Sequence, residues 1–287
     1  MTRMEPTSGT VVANGLRHHV LAWDGGGPTT VLCLHGFLDV GWAFHAVAPA
    51  LADAGFHVVA PDLRGHGETE RVGAGGYYHF MDYVLDVADL VDALARDRLA
   101  IVGHSMGGAV AAYYAGTFPE RVWRLALLES LRVPETAPAS VPHRTAEWVA
   151  GVRRARAQAA RVYPSLDAAA ARIRELDPRC PPEEARAFAT RGTVPVPGGV
   201  SFRHDPLHAT RGPYPFRLDV ARAFWSAVAC PVLCVEGAES GSAGVDLAER
   251  HACFRQLREA SIAGAGHMMM RHRPTEVAQL LLEFLAE

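Results

Sequence analysis

The chain has 287 residues, of which 49% are hydrophobic and 21% charged, and it carries a formal net charge of −3. That length suffices for one large domain, or for a core with an inserted subdomain, and the charge argues against an electrostatic nucleic-acid or membrane-surface binder. All 28 basic residues are arginine, which excludes lysine Schiff-base and lysine general-base chemistry.

Five scattered cysteines (33, 180, 230, 234 and 253) form neither a disulfide framework nor a metal-ligand spacing. A reducing, cytoplasmic setting is expected, with no metal and no other cofactor. The first residues lack the apolar core of a signal peptide, and no run of about 18 apolar residues predicts a membrane span.

In chain order, Asn14-Gly15 predicts a tight hairpin turn between two strands over residues 9–23. Thr30–Leu34 reads as a buried strand ending in His35-Gly-Phe-Leu-Asp39, and a helix follows with Phe44, Val47 and Leu51 on one face. His57–Ala60 is the next strand, followed by the polar loop Pro61–Gly67. Asp82–Arg96 has the clearest helical period: Val84, Val87, Ala88, Val91 and Leu94 share a stripe, while Asp82, Asp86, Asp89 and Asp92 sit largely off it.

Leu99–Val102 is an apolar strand, and a small-residue helix spans Gly107–Gly116. Between them lies Gly103-His-Ser-Met-Gly107. A sharp strand-to-helix turn brings backbones so close that the flanking positions tolerate little more than hydrogen, and it lifts the Ser105 hydroxyl clear of the sheet. The helix N-terminus behind it offers free N–H groups where an oxygen becomes negative. Arg124–Leu128 is a further strand, ending at Glu129.

From 133 to 228 the strand signal disappears. Prolines 134, 138 and 142 open helical patterns at Glu147–Arg161, Leu166–Leu176 and Pro182–Arg191, and a Pro/Gly-rich run covers Val194–Pro215. This stretch reads as an inserted helical cap, rich in aromatic residues, between core segments 1–132 and 229–287. Its arginines read as solvated helix faces. Strand and helix alternation resumes with Pro231–Glu236, Val245–His251, Ala260–Ile262, the loop Gly264–His267 and a helix over Pro274–Ala286. Alternation of this kind implies a mostly parallel sheet covered on both faces, with sites at the carboxyl ends of its strands.

His35-Gly36, Pro61-Asp-Leu-Arg-Gly-His-Gly67, Gly103-His-Ser-Met-Gly107, Phe118-Pro-Glu-Arg-Val122 and Gly266-His267 together resemble, in order, the oxyanion loop, structural loop, nucleophile turn, following link and histidine loop of the α/β-hydrolases. His35–Asp39, the Glu129 strand end and Arg203-His-Asp-Pro206 resemble the serine-hydrolase-like branch. The resemblance implies an α/β-hydrolase fold with an inserted cap. Ser105 would be the nucleophile, His267 the base and then the acid, and the backbone N–H groups of Phe37 and Met106 the oxyanion hole.

The acid is less regular. Most of that family carries an aspartate after the strand following the cap, but here that loop reads Glu236-Gly-Ala-Glu-Ser-Gly241, with Ser240 in the aspartate's place. Glu129 is preferred as the acid and Glu239, one residue out of register, is the alternative. The implied activity is a carboxylesterase-like serine hydrolase acting on a small to medium, largely apolar acyl compound. Acyl transfer, carbon–carbon bond hydrolysis and a non-catalytic ligand-binding role remain the alternatives. Epoxide hydrolase and dehalogenase chemistry is disfavoured, because those relatives carry an aspartate where Ser105 stands.

Overall fold

The computed structural model describes residues 4–241 and 244–287. Strands β1 (Thr7–Ala13) and β2 (Leu16–Asp24) form an antiparallel hairpin. Its turn residues Asn14 and Gly15 both have positive φ, the backbone twist that suits a two-residue hairpin turn. There follow β3 (Thr29–Leu34), helix α1 (Ala48–Asp53), β4 (His57–Pro61), α2 (Phe80–Leu94), β5 (Arg98–His104), α3 (Met106–Thr117) and β6 (Arg124–Leu128). The segment after β6 contains α4 (Val141–Ala157), α5 (Leu166–Leu176), α6 (Pro182–Gly192) and the hairpin β7 (Thr193–Val196)/β8 (Gly199–Phe202). The chain ends with α7 (Leu218–Ala227), β9 (Val232–Gly237), α8 (Leu247–His251), β10 (Leu257–Ile262), α9 (Met269–His272) and α10 (Pro274–Ala286).

Eight strands form one sheet in the order β1-β2-β4-β3-β5-β6-β9-β10, parallel from β4 onward. Alternate residues of each central strand feed different layers. Leu99 and Ile101 pack with Val87, Val110 and Tyr114 under α2 and α3. Ala100 and Val102 pack with Leu51, Leu281 and Phe284 under α1 and α10. Burial on both faces explains why β3 and β5 read as continuous apolar runs. Among the described residues, no helix is long and apolar enough to cross a membrane, and all five cysteines are free.

Three local features emerge only in the structure. The Pro/Gly-rich run conceals the hairpin β7/β8, in which Pro195 occupies a short two-stranded edge where no further ladder bond is needed. The stretch 133–228 does not lie wholly apart from the core: α7 packs on α3, with Phe224 stacked on Tyr113 at 4.3 Å and Trp225 buried. Asp86, expected on the solvent side of α2, is fully buried and takes two hydrogen bonds from the Arg64 guanidinium and one from Asn14 Nδ2.

The loop after β4 is ordered by Asp62. Its buried carboxylate accepts the N–H groups of Gly41 (2.7 Å) and Glu68 (2.9 Å) and pairs with His19 Nδ1 (2.9 Å). Burial opposes ionisation, but these partners hold the carboxyl below its ordinary range. Replacing Asp62 by alanine orphans all three partners. We expect Asp62→Ala to lower unfolding stability by about 3–5 kcal/mol, read from urea unfolding at neutral pH.

Candidate active site

Strand register brings the site together. Leu34 of β3 pairs with Gly103 of β5, His104 with Leu128 of β6, and Leu128 with Val235 of β9. The loops carrying His35–Phe37, Ser105, Glu129 and Gly237–Glu239 therefore leave the sheet side by side, and the loop after β10 brings His267 to the same edge.

The turn at Ser105 is as tight as its glycines suggest. A Cβ on Gly107 would run into the carbonyl oxygens of Leu34 and His35, and one on Gly103 into Gly108. Ser105 itself is forced to φ 51°, ψ −117°, a strained conformation costing about 1–3 kcal/mol. Its N–H is anchored on the Leu128 carbonyl at 2.9 Å.

Ser105 Oγ lies 3.0 Å from His267 Nε2, and His267 Nδ1 lies 3.3 Å from Glu129 Oε2. This geometry assigns the Nδ1–H to Glu129 and leaves Nε2 to accept the serine proton. Exposure falls along the chain of bonds: the His267 side chain is 49% exposed and that of Glu129 is 0%. Glu129 also has positive φ (54°), which turns its side chain at the strand end. Burial works against its ionisation. The bonds from His267 and from the Gly237 N–H (2.7 Å), with help from Ser240 and Arg132, prevail and hold its carboxyl down to about 2. Ser240 stands where the family's aspartate would be and leaves the carboxylate to Glu129. Glu239 is directed elsewhere, to an ion pair with Arg179.

The Met106 N–H, in the first turn of α3, has no helical acceptor. Among the described residues neither it nor the Phe37 N–H finds a hydrogen-bond partner. The two loops touch directly, since a Cβ on Gly36 would sit 3.3 Å from that of Ser105.

Several further side chains support this geometry. His104 Nε2 donates to the His267 carbonyl at 2.7 Å, fixing the histidine loop, and burial pushes the His104 ring down to about 4. His272 accepts the Gly266 N–H at 3.1 Å and bonds Asp177 at the end of α5 at 2.8 Å. The phenylalanine loop rests on two neutral rings. His35 Nε2 accepts from Leu63 N–H (2.9 Å) and His66 Nε2 from Leu38 N–H (3.2 Å). Burial drives His66 well below its ordinary range, and the ring stacks on His208 at 4.1 Å. Asp39 carries the other side of the loop, paired with Arg271 at 2.7 Å. None of these pairs leaves a local pattern, because each joins segments far apart in the chain.

A cavity of about 360 Å³ opens beside the site. Phe37, Leu38 and Val40 of the core and Met268, next to His267, form one wall; Ile173, Leu176, Phe188 and Phe202 form the other. Arg161, Arg172, Asp177 and the paired Asp39 and Arg271 bring charge to its lining. A second cavity, of about 350 Å³, lies between α4 and β8 and does not reach Phe37.

The chain belongs to the α/β-hydrolase family: residues 29–189, more than half of it, match the alpha/beta hydrolase fold family. It is 36% identical over 137 residues to epoxide hydrolase A of Mycobacterium tuberculosis, covering 48% of this chain and 39% of that protein. It is 32% identical over 182 residues to a serine hydrolase-like protein of Danio rerio, covering 61% of this chain and 54% of that one. The chain thus spans about half or less of the length of these curated relatives. Among solved structures, the thioesterase domain from the curacin biosynthetic pathway superposes with a TM-score of 0.84 at 25% identity, covering 96% of this chain and 99% of that one.

Because the Glu129 carboxyl is held below its ordinary value of 4.5, its contribution to stability is fully present above pH 4.5 and is lost as pH falls toward about 2. Urea midpoints measured across that window should fall more steeply for the wild type than for Glu129→Gln.

Proposed function

We propose that the protein is a serine hydrolase that cleaves a small to medium, largely apolar ester or related acyl compound through an acyl-enzyme intermediate. The observation that carries this reading is the continuous hydrogen-bonded series Ser105–His267–Glu129 across the ends of the central strands. A serine hydroxyl is a poor nucleophile until a base takes its proton, and His267 Nε2 lies within reach to do so. As Ser105 Oγ attacks the substrate carbonyl, the proton passes to Nε2 and the Glu129 carboxylate stabilises the imidazolium. The oxygen that becomes negative is met by the Phe37 and Met106 N–H groups, each donor of this kind supplying about 10²–10³ in rate. His267 then protonates the leaving group. Water enters by the same base, and the acyl group departs.

The largely apolar cavity beside Phe37 and Met268 supports an apolar acyl or alcohol group, and the segment carrying α4, α5 and α6 would act as its cap. Similarity to a thioesterase domain over nearly the full chain brings thioesters within the class. Similarity to epoxide hydrolases does not extend the proposal to epoxides, since Ser105 occupies the nucleophile position. Five free thiols agree with a cytoplasmic setting.

A fluorophosphonate probe should label the wild type and not Ser105→Ala, whose hydrolysis of an activated short-chain ester should fall by about 10⁵–10⁶-fold. Equal labelling of both proteins, or none of either, would count against the proposal. Glu129→Gln should lower kcat by about 10⁴-fold, whereas Glu239→Gln should change it by less than about twofold. The reverse order would make Glu239 the acid.

A further inference from the structure

Glu129 does not face His267 alone. Just past the end of β6, Arg132 folds back so that its guanidinium lies between two carboxylates. Its Nε is 2.6 Å from Glu236 Oε2 and 3.1 Å from Glu129 Oε2, and its Nη1 donates to the Gly241 carbonyl at 2.7 Å. Glu236 belongs to β9, the strand paired with β6, and its side chain, like that of Arg132, is mostly buried. Burial and the nearby Glu129 outweigh the pull of Arg132 and push the Glu236 carboxyl up to about 7.

Ser261 of β10 stands beside Glu236 in the register, and burial keeps Cys234 as a thiol. From α8, Arg250 bonds the carbonyls of Leu131 and Val133 and so fixes the segment that carries Arg132.

A cation beside Glu129 has two opposing effects. It holds the carboxylate in place, but it also cancels the negative charge that an imidazolium at His267 needs. A second carboxylate on the same guanidinium removes the conflict. With both glutamates ionised, the group Glu129–Arg132–Glu236 retains one net negative charge toward His267; with Glu236 protonated it is neutral.

We propose that Arg132 and Glu236 are positioning residues for the serine chemistry: Arg132 holds the Glu129 carboxylate on His267, and Glu236 offsets the arginine charge so that the cluster stays net negative while His267 carries the serine proton. This rests on the serine-hydrolase reading above.

The test is the rate at which a fluorophosphonate labels Ser105, measured from about pH 5 to 9, for the wild type, Glu236→Gln, Arg132→Gln and Arg132→Lys. Glu236→Gln withdraws the negative charge that Glu236 carries once it ionises, so the acid limb of its profile should move to lower pH and its rate above about pH 7 should fall about tenfold. Arg132→Gln withdraws positive charge, so its limb should move to higher pH, and Arg132→Lys should restore the wild-type limb. Purely structural roles would lower the rates without opposite displacements. Variant profiles that superpose on the wild type after scaling, or that move in one direction, overturn the inference. Should Arg132→Gln fail to fold, Glu236→Gln decides alone, since its amide oxygen still accepts from Arg132: a lower limb supports the proposal and superposition overturns it. A wild type that is not labelled at any pH overturns both this inference and the serine-hydrolase reading. A labelled wild type with superposing variants overturns this inference only.

Discussion

The close approach of α3 to the ends of β3 and β5 is the constraint on which the rest of the molecule depends. Only hydrogens fit where Gly103 meets Gly108 and where Gly107 meets the Leu34 and His35 carbonyls, and this contact holds Ser105 at positive φ. Among the described residues, four other than glycine have positive φ, and three of them, Leu38, Ser105 and Glu129, follow the ends of neighbouring strands at one edge of the sheet. Strain of this kind persists only where the surroundings over-determine it. Here those surroundings are the two apolar layers on either side of the sheet, which leave the central strands no freedom to relax.

Buried charge is handled the same way throughout the chain. Asp62, Asp86 and Glu129 are all nearly inaccessible, and each is surrounded by backbone or side-chain donors. A carboxylate removed from water without such partners would take up a proton instead. The all-arginine composition suits this pattern, because a guanidinium is a planar fork that reaches two acceptors at once, as Arg64 does on the two oxygens of Asp86 and Arg132 does on Glu236 and the Gly241 carbonyl.

Features set by local chemistry were legible in the sequence. The hairpin at Asn14-Gly15, the strand Arg124–Leu128 and the helices Leu166–Leu176 and Pro274–Ala286 stand where the pattern puts them. The glycines around Ser105 announce their turn because a close backbone approach admits no other residue. Features set by topology were hidden. Asp86 reads as a solvent-facing helix residue until Arg64 is seen to enclose it. Likewise, Val194–Phe202 reads as loop because Pro195 and Gly198-Gly199 mask a short hairpin. Arg132 meets Glu236 only because β6 and β9 are neighbours in the sheet, and no spacing in the chain expresses that adjacency.

Glu129 takes its position from β6, a strand flanked by neighbours on both sides, whereas Glu239 and Ser240 sit on the loop that leaves β9. A carboxylate seated at the end of a central strand inherits the rigidity of the sheet, and its own position does not depend on the length of the loop after β9. The segment after β9 is thereby released from carrying the acid and steadies it instead, through the Gly237 N–H on Glu129 and the Gly241 carbonyl on Arg132. Changes in that loop therefore reach Ser105, His267 and Glu129 through these contacts, and not by moving the residue that carries the carboxylate.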